Sequence, residues 1–470
     1  MRALNTDLTA RVKTKAGLSR ELKRETGGKQ GGKLIVPLFS KMMDDMAEDL
    51  MADEKMGIKF GDVEIPCLLF VDDSLSLAEG YAQQEATLEK FDEFAVMHKL
   101  EWGQEKCKTM EIGSHKEKRK TWTLGDKQIE KCDEYQYLGE IISRDGKNTK
   151  NLRARFDKVK TRVRSIITSC KNHILQNIAT KTMIQLHESQ TLPALLYNAE
   201  TWTLTSAERK LIDQMEIYAW KKMIGLPNTT PTAAIIHTTG SLFASIRVDV
   251  KQLIFLQRIL KKEMSKWGRT TLLRLKEHDY GWAKQINNTL TNWNLETDWH
   301  VIQEMSVGEW KRRVDAAAEE QNLCRLKKEC LSKNRNETKQ KTKTKYLEEV
   351  LNDKNYKREP SPLIHQNQKL ITTRALIMGR AGMLQCANNF YTKYKTKNCN
   401  DCGVIDDESH RINDCTRWRA INLKESHEKI IFDDIYTGDA DKCQAVLAKI
   451  IGIWDLANGK NEMRKVNCDV

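Results

Sequence analysis

No stretch of this 470-residue chain approaches the roughly 18 consecutive apolar residues that a membrane-spanning helix requires. The N-terminus, MRALNTDLTARVKTK, has no apolar segment of the kind that marks a secretory signal. These two absences predict an intracellular protein, nuclear or cytoplasmic, with no membrane partner. Proline is scarce, with seven residues, while Lys, Glu, Leu and Ile abound, so most of the chain is expected to be helical. No phosphate-cradling Walker pattern, Ser/His/Asp arrangement or Cys/His dyad is evident, which argues against P-loop and nucleophilic-hydrolase chemistry. No internal repeat is evident either. The twelve cysteines are mostly scattered singly, and in a reducing compartment such residues are core thiols or metal ligands.

What is present is charge. Lys and Arg outnumber Asp and Glu by 78 to 65, a formal balance of +13, which points to a polyanionic partner, nucleic acid ahead of an anionic membrane. The length allows roughly two to four domains.

Residues 1–60 read as helix-prone apart from one break, TGGKQGGKL (Thr26 to Leu34). Leu38, Met42, Met43, Met46 and Leu50 then fall at helical spacing. A second helix carries Leu88, Phe91, Phe94 and Val96 on or near one face. Short β-like pieces follow, with turns at Gly125-Asp126 and Asp145-Gly146.

From about residue 150 the pattern becomes helical. Leu152, Phe156, Val159, Val163, Ile166 and Ile167 make one stripe, with Arg153, Arg155, Lys160, Arg162 and Arg164 mostly off it. Residues 325–347 form a Lys/Arg-rich, low-complexity run, expected to be an exposed helix or linker that contacts phosphates. Trp282, Trp293, Trp299 and Trp310 read as packing residues, and His187 and His237 as structural histidines.

CLLFVDDSLSL, residues 67–77, is the most strand-like segment, and it carries two adjacent carboxylates, Asp72 and Asp73, where apolar burial should continue. Carboxylates at a strand tip are useful where divalent cations must be held beside a phosphate, because a hard cation takes a few oxygens and leaves room for water and triphosphate. Neighbouring positions of a strand point to opposite faces, so at most one of the pair is expected to face the reaction fully.

FVDD resembles the aromatic-x-Asp-Asp box of reverse transcriptases, and three further segments are similar to that family in the right order. GKQGGKLIVPLF resembles its Gln-Gly segment through Gln30, Gly31, Leu34, Leu38 and Phe39, with Ile35 and Val36 where Ser-Pro is usual. LEWGQEKCKTMEIG resembles its Lys-bearing loop, with Lys106 matching and Gly103 in place of a usual Asn. YQYLGEIISRDG resembles the hairpin that grips the primer end, through Tyr137, Leu138 and Gly139. LLYNAETWTLTSAERKLIDQMEIYAWKKMIGLP looks like the thumb of non-LTR (LINE-type) retrotransposon enzymes, and the resemblance spans most of residues 1–260.

The resemblance implies a nucleotidyltransferase, an RNA-directed DNA polymerase using Mg²⁺ and deoxynucleoside triphosphates on an RNA template and a DNA primer or target. It makes Asp72 a magnesium ligand and Asp73 an auxiliary carboxylate. Gln30 and Gly31 shape the template and nucleotide pocket, and Lys106 lies near the triphosphate. The family's palm also carries a metal-binding aspartate on a strand ahead of the Gln-Gly segment, and this sequence shows no match to that strand or to the fingers. Asp7 sits in helix-prone sequence and is no substitute. The expectation is therefore an N-terminally truncated polymerase, defective by itself.

Near the C-terminus the spacing Cys399-x2-Cys402-x7-His410-x4-Cys415 has the form of a tetrahedral Zn²⁺ knuckle. Its surroundings, DDESHRIND, are too polar for a core. The same pattern occurs near the C-terminus of non-LTR retrotransposon proteins, where it is thought to help hold nucleic acid. Lys393, Lys395, Lys397, Arg411, Arg417 and Arg419 suit that role.

The expected fold is α+β: a partial reverse-transcriptase palm (1–149), a helical thumb-like region (150–265), a basic helical region (266–385), a CCHC zinc knuckle (386–425) and a helical tail (426–470). A non-catalytic RNA/DNA-binding protein using thumb and knuckle is the alternative, and a decayed gene product a third reading.

Overall fold

The computed structural model describes residues 9–15, 17–23, 32–53, 56–60, 63–113, 121–171, 178–261, 266–331, 351–352, 370–381, 398–405, 410–416 and 445–451. The chain divides into two compact units, Met1–Gly146 and Lys147–Val470.

The first unit opens with two nested ladders, Thr9–Ala10 (β1) with Leu22–Lys23 (β4), and Lys13–Thr14 (β2) with Gly17–Leu18 (β3). Helix was expected here. Gly17 turns the chain at φ 120°, a conformation that costs glycine little, and the Ser19 hydroxyl accepts from the Val12 amide at 2.9 Å, offering the backbone a local partner in place of a helical one. The helix Ile35–Met51 (α1) follows, burying Met43, Met46 and Leu50 at the i, i+3, i+7 spacing of one face, and leaving Leu38 exposed.

Antiparallel hairpins then punctuate the unit. They pair Ile58–Phe60 (β5) with Val63–Ile65 (β6), Cys67–Phe70 (β7) with Asp73–Ser76 (β8), and, after an intervening helix, Glu134–Tyr137 (β12) with Glu140–Ser143 (β13). Lys127–Lys131 (β11) lies between Trp122–Leu124 (β10), antiparallel, and Lys108–Thr109 (β9), parallel. The intervening helix Tyr81–His98 (α2) buries Leu88, Phe91 and Phe94 against Trp122 and Leu124. Val96, expected near that face, is 74% exposed, because two residues beyond Phe94 a helix has turned by roughly 200°.

The second unit is helical among the described residues. Thr149–Lys171 (α3) buries Leu152, Val159, Val163, Ile166 and Ile167, with Phe156 partly buried beside them. Thr180–Leu186 (α4) runs through a wide turn at His187–Thr191 into Leu192–Leu195 (α5). Ser206–Ile224 (α6) is the central element. Thr205 and Glu208 cap its start reciprocally, and Gly225 at φ 75° ends it. It packs against α3 and against Ala244–Leu260 (α8), with Thr232–Thr239 (α7) between them in sequence.

Lys266–Glu277 (α9), Gly281–Asn292 (α10), Trp299–Glu304 (α11) and Val307–Leu331 (α12) complete the layer, and Leu370–Arg380 (α13) packs on α6 and α7. The boundaries expected at 265, 385 and 425 are internal to this unit. Trp293, Trp299 and Trp310 are buried, and the Trp310 indole donates to the Leu253 carbonyl at 2.9 Å.

Polar groups thread this core. The Ser245 amide and hydroxyl donate to the Asp213 carboxylate, and Arg325 pairs with it at 2.6 Å while stacking on Phe243. Arg325 opens the run expected to contact phosphates and is instead an internal ion-pair partner. Residues 332–347 of that run lie outside the described residues. His187 is fully buried, its ring tilted against Trp220 with centroids 4.1 Å apart and Glu216 at 3.7 Å.

Candidate metal and nucleic-acid site

In the β7–β8 hairpin Phe70 pairs with Asp73, so Val71 and Asp72 form the two-residue turn between them. This corrects the view of Asp72 and Asp73 as successive positions on one strand: Asp72 is in the turn and Asp73 opens the returning strand. Two-residue hairpins need left-handed backbone, and here Val71 adopts it at φ 56°. A β-branched residue in that region stores strain of order 1–3 kcal/mol, held by the ladder from Phe70–Asp73 to Cys67–Ser76. The turn presents both carboxylates to solvent.

The β12–β13 hairpin turns through Leu138 at φ 47° and Gly139 at φ 83°, with Tyr137 paired to Glu140. Tyr135 and Tyr137 share its inner face, while Glu134 and Gln136 point outward. Burial raises both phenols above their ordinary range, and the negative charge of Asp73 raises them further. The Tyr135 hydroxyl donates to the Lys106 carbonyl at 3.1 Å, and the Lys106 amide donates to Gly103 at 2.8 Å in a tight turn.

Three segments that are distant in sequence therefore meet: the Asp72-Asp73 turn, the Lys106 loop and the Tyr137–Gly139 hairpin. Tyr135, which ties two of them together, was not singled out from the sequence. The signal for it is the alternation that puts it two residues before Tyr137. Gln30 and Gly31 lie outside the described residues. Exposed carboxylate oxygens at a turn are the hard donors that Mg²⁺ takes. Among the described residues no third carboxylate gathers with them; the one cluster of three or more His, Cys, Asp or Glu ligand atoms lies elsewhere.

That cluster is Cys399, Cys402, His410 and Cys415, whose ligand atoms all lie within 4.8 Å of one another. The Cys399 amide donates to the Val404 carbonyl at 2.7 Å, and the Gly403 amide returns to Cys399 at 2.8 Å, with Gly403 at φ 73°. This loop turns Cys399 and Cys402 toward the same point. A wide turn at His410–Asp414 brings in the other two, the Cys415 amide donating to the His410 carbonyl at 2.8 Å.

The sulfur separations, 3.8 Å for Cys399–Cys415 and 3.9 Å for Cys402–Cys415, fit the edge of about 3.8 Å of a tetrahedron with Zn–S near 2.3 Å. The Thr416 amide donates to Cys402 sulfur and the Thr416 hydroxyl lies in hydrogen-bond contact with it at 3.1 Å, and these contacts lower its thiol toward the thiolate that a metal needs. Donor set and spacing fit zinc. The polar sequence around them had argued against a core position, yet Cys399, His410 and Cys415 are buried, and Cys399 and Cys415 belong to the apolar core of the second unit. Arg411 is the described member of the surrounding cations; Lys393, Lys395, Lys397, Arg417 and Arg419 lie outside the described residues.

No helix among the described residues is long and apolar enough to cross a membrane. No curated protein matches the chain. Residues 2–142 match the family model described as reverse transcriptase (RNA-dependent DNA polymerase), a span containing the Asp72-Asp73 turn, the Lys106 loop and the Tyr137–Gly139 hairpin. The match supports a reverse transcriptase domain in the N-terminal part of this chain.

Proposed function

We propose that this chain is the reverse transcriptase domain protein of a non-LTR, LINE-type retrotransposon, acting inside the cell on an RNA template and a DNA primer or target. The observation that carries this reading is the strained Val71-Asp72 turn, set inside the segment that matches the family. Mg²⁺ at this turn would activate the primer hydroxyl and steady the departing pyrophosphate. Asp72 holds the cation, and Asp73 assists it while facing the tyrosines. Lys106 offers its ammonium group to the triphosphate. Gln30 and Gly31 shape the template side, and Tyr137, Leu138 and Gly139 seat the primer end. Cys399, Cys402, His410 and Cys415 hold Zn²⁺.

Two carboxylates do not complete a two-metal cage, and the described residues contribute no third. We therefore expect the chain by itself to lack DNA synthesis. Primer extension on an RNA template with Mg²⁺ and deoxynucleoside triphosphates tests this. Robust synthesis abolished by Asp72→Ala would establish the site and overturn the deficiency. Synthesis that survives Asp72→Ala would overturn the site itself. Salt-dependent RNA binding without synthesis is the outcome expected of this chain, and it also fits the second reading, a non-catalytic nucleic-acid-binding protein, to which the +13 balance points. Stoichiometric zinc retained by Cys399→Ser would rule out the knuckle.

A further inference from the structure

Lys106 stands in a loop with little to hold it. Its side chain is exposed and has no hydrogen-bond or ion-pair partner among the described residues. Inside the loop the Lys106 amide donates to the Gly103 carbonyl at 2.8 Å, and the Cys107 amide donates to the Gln104 carbonyl at 3.1 Å. The Cys107 thiol also reaches the Gly103 carbonyl, at 3.5 Å. These bonds shape the turn but attach it to nothing else. Gln104 Oε1 and Trp102 Nε1 are buried without a hydrogen-bond partner, so they add no tie of that kind. Beyond the ladder that starts at Lys108, one hydrogen bond reaches Gly103–Cys107 from the rest of the unit among the described residues: the Tyr135 hydroxyl donates to the Lys106 carbonyl at 3.1 Å. The strand that carries Tyr135 is locked by four residue pairs, from Glu134 with Ser143 to Tyr137 with Glu140. Its phenol is half-buried and lies within electrostatic reach of Asp73, so one side chain serves both the Lys106 loop and the carboxylate turn. The neighbouring cation, Lys108, is already committed to Glu130.

We propose that Tyr135 is a positioning residue: its hydroxyl anchors the Lys106 backbone, so that the Lys106 ammonium group meets the triphosphate of an incoming nucleotide at the carboxylate turn. The inference rests on the role given to Lys106 in the proposed function. Lysine carries its charge on a flexible four-carbon stem, and a loose backbone beneath that stem multiplies the volume the charge samples. Holding the Lys106 carbonyl fixes the peptide plane that follows it and limits the directions in which the side chain can leave. Less freedom is then lost when the triphosphate binds. The anchor falls on the residue that bears the cation, at the one carbonyl of the turn that its internal bonds leave unused. Phenylalanine at position 135 would keep the ring and the strand pairing, so the hydroxyl can be tested apart from the packing.

Two measurements on the full chain test it. Hydrogen exchange read by mass spectrometry follows the loop itself. Tyr135→Phe is expected to speed exchange of the Lys106 and Cys107 amides by about two- to tenfold, the range that the net worth of one hydrogen bond spans. Tyr81→Phe removes a comparable hydroxyl of the same unit, one that donates to Glu111 at 3.0 Å, and is expected to leave those amides unchanged. The second measurement is the affinity of dATP with Mg²⁺ for the chain on an RNA template that calls for dATP. The DNA primer ends in a dideoxynucleotide, so no synthesis can follow. Lys106→Ala and Tyr135→Phe are each expected to weaken binding, Tyr135→Phe by about two- to tenfold. In the Lys106→Ala background Tyr135→Phe is expected to add nothing, because no ammonium group remains to be positioned. If the unaltered chain takes up no nucleotide, or Lys106→Ala leaves the affinity unchanged, the reading of Lys106 fails and this inference falls with it. If Lys106→Ala weakens binding but Tyr135→Phe does not, or does so equally in both backgrounds, the positioning role alone is overturned. Exchange at Lys106 and Cys107 that Tyr135→Phe leaves unchanged also overturns it.

Discussion

The N-terminal unit gathers its apolar residues into a small cluster between α1, α2 and the short strands, and leaves Leu68, Phe70, Val96, Met97 and Ile112 exposed. The second unit threads one continuous buried cluster from α3 through α6, α8 and α12 to the knuckle cysteines. Burial scales the stability available to each, at about 25 cal/mol per Å² of apolar surface. The first unit spends part of that on a left-handed Val71, and its candidate site sits on hairpin turns. The second holds buried charge, Asp213, Asp249 and Glu216, inside a core large enough to tolerate it. The candidate carboxylate site lies on the lightly built unit, and the Cys399–Cys415 cluster in the heavily built one.

Removing a large side chain from the larger core should separate the units most clearly. Trp310→Ala deletes a fully buried indole and its bond to Leu253, and should cost about 3–5 kcal/mol. In a denaturant titration it should move the transition of the helical unit and leave that of the N-terminal unit in place. If both transitions shift together, the two units are energetically one.

The next effect is in pH. Burial, with the Arg380 charge, lowers His237 to about 3, so the unfolded chain takes up a proton below its ordinary pKa near 6.5 while the folded chain does not. Stability from this group is present above about pH 6.5 and is lost as pH falls, by about 3 kcal/mol at pH 4. Asp249 acts the other way. Burial raises its carboxyl to about 6 in spite of Arg209, so folding gains about 2–3 kcal/mol as pH falls from 6 to 4 and loses it as pH rises through 6. The two offset each other across that window. Asp249→Asn should make stability climb more steeply with pH between 4 and 6, and His237→Gln should make it decline there. Unfolding free energies at a series of pH values check both slopes.

Smaller effects are expected at the helix cap and the carboxylate turn. Thr205→Ala removes the hydroxyl that accepts from the Glu208 amide and should cost the helical unit about 1 kcal/mol, read as a lower melting temperature. Val71→Asn places a residue that tolerates left-handed backbone at the turn and should stabilise the N-terminal unit by about 1 kcal/mol. An unchanged or lowered melting temperature for that unit would show that the turn stores no strain.

Much of the helical unit was legible because its signal is local. The stripe from Leu152 to Ile167 is written at helical spacing and is buried at Leu152, Val159, Val163, Ile166 and Ile167. Val96 and the 9–23 ladders were misread where composition favoured helix but facing direction or side-chain hydrogen bonds decided otherwise. The Asp72-Asp73 segment stood out as two charges in an apolar run. The turn inside it was not legible, since Val is an unlikely residue for left-handed backbone and only the pairing of Phe70 with Asp73 requires it. Arg155 and Arg325 looked like surface cations, yet Arg155 is buried, its guanidinium over Tyr197, and Arg325 serves Asp213.

By itself the sequence determined the α+β character, the helix stripes, the resemblance of the N-terminal part to reverse transcriptases, and the ligand types and spacing at residues 399–415, because these depend on neighbours along the chain. Tertiary structure decided which side chains meet. It brought Tyr135 to the Lys106 carbonyl and within electrostatic reach of Asp73, and set the knuckle sulfurs at a tetrahedral edge inside the helical core. Contacts across tens of residues depend on how elements pack, and hydrophobic burial, which drives that packing, leaves no local mark on the residues it brings together.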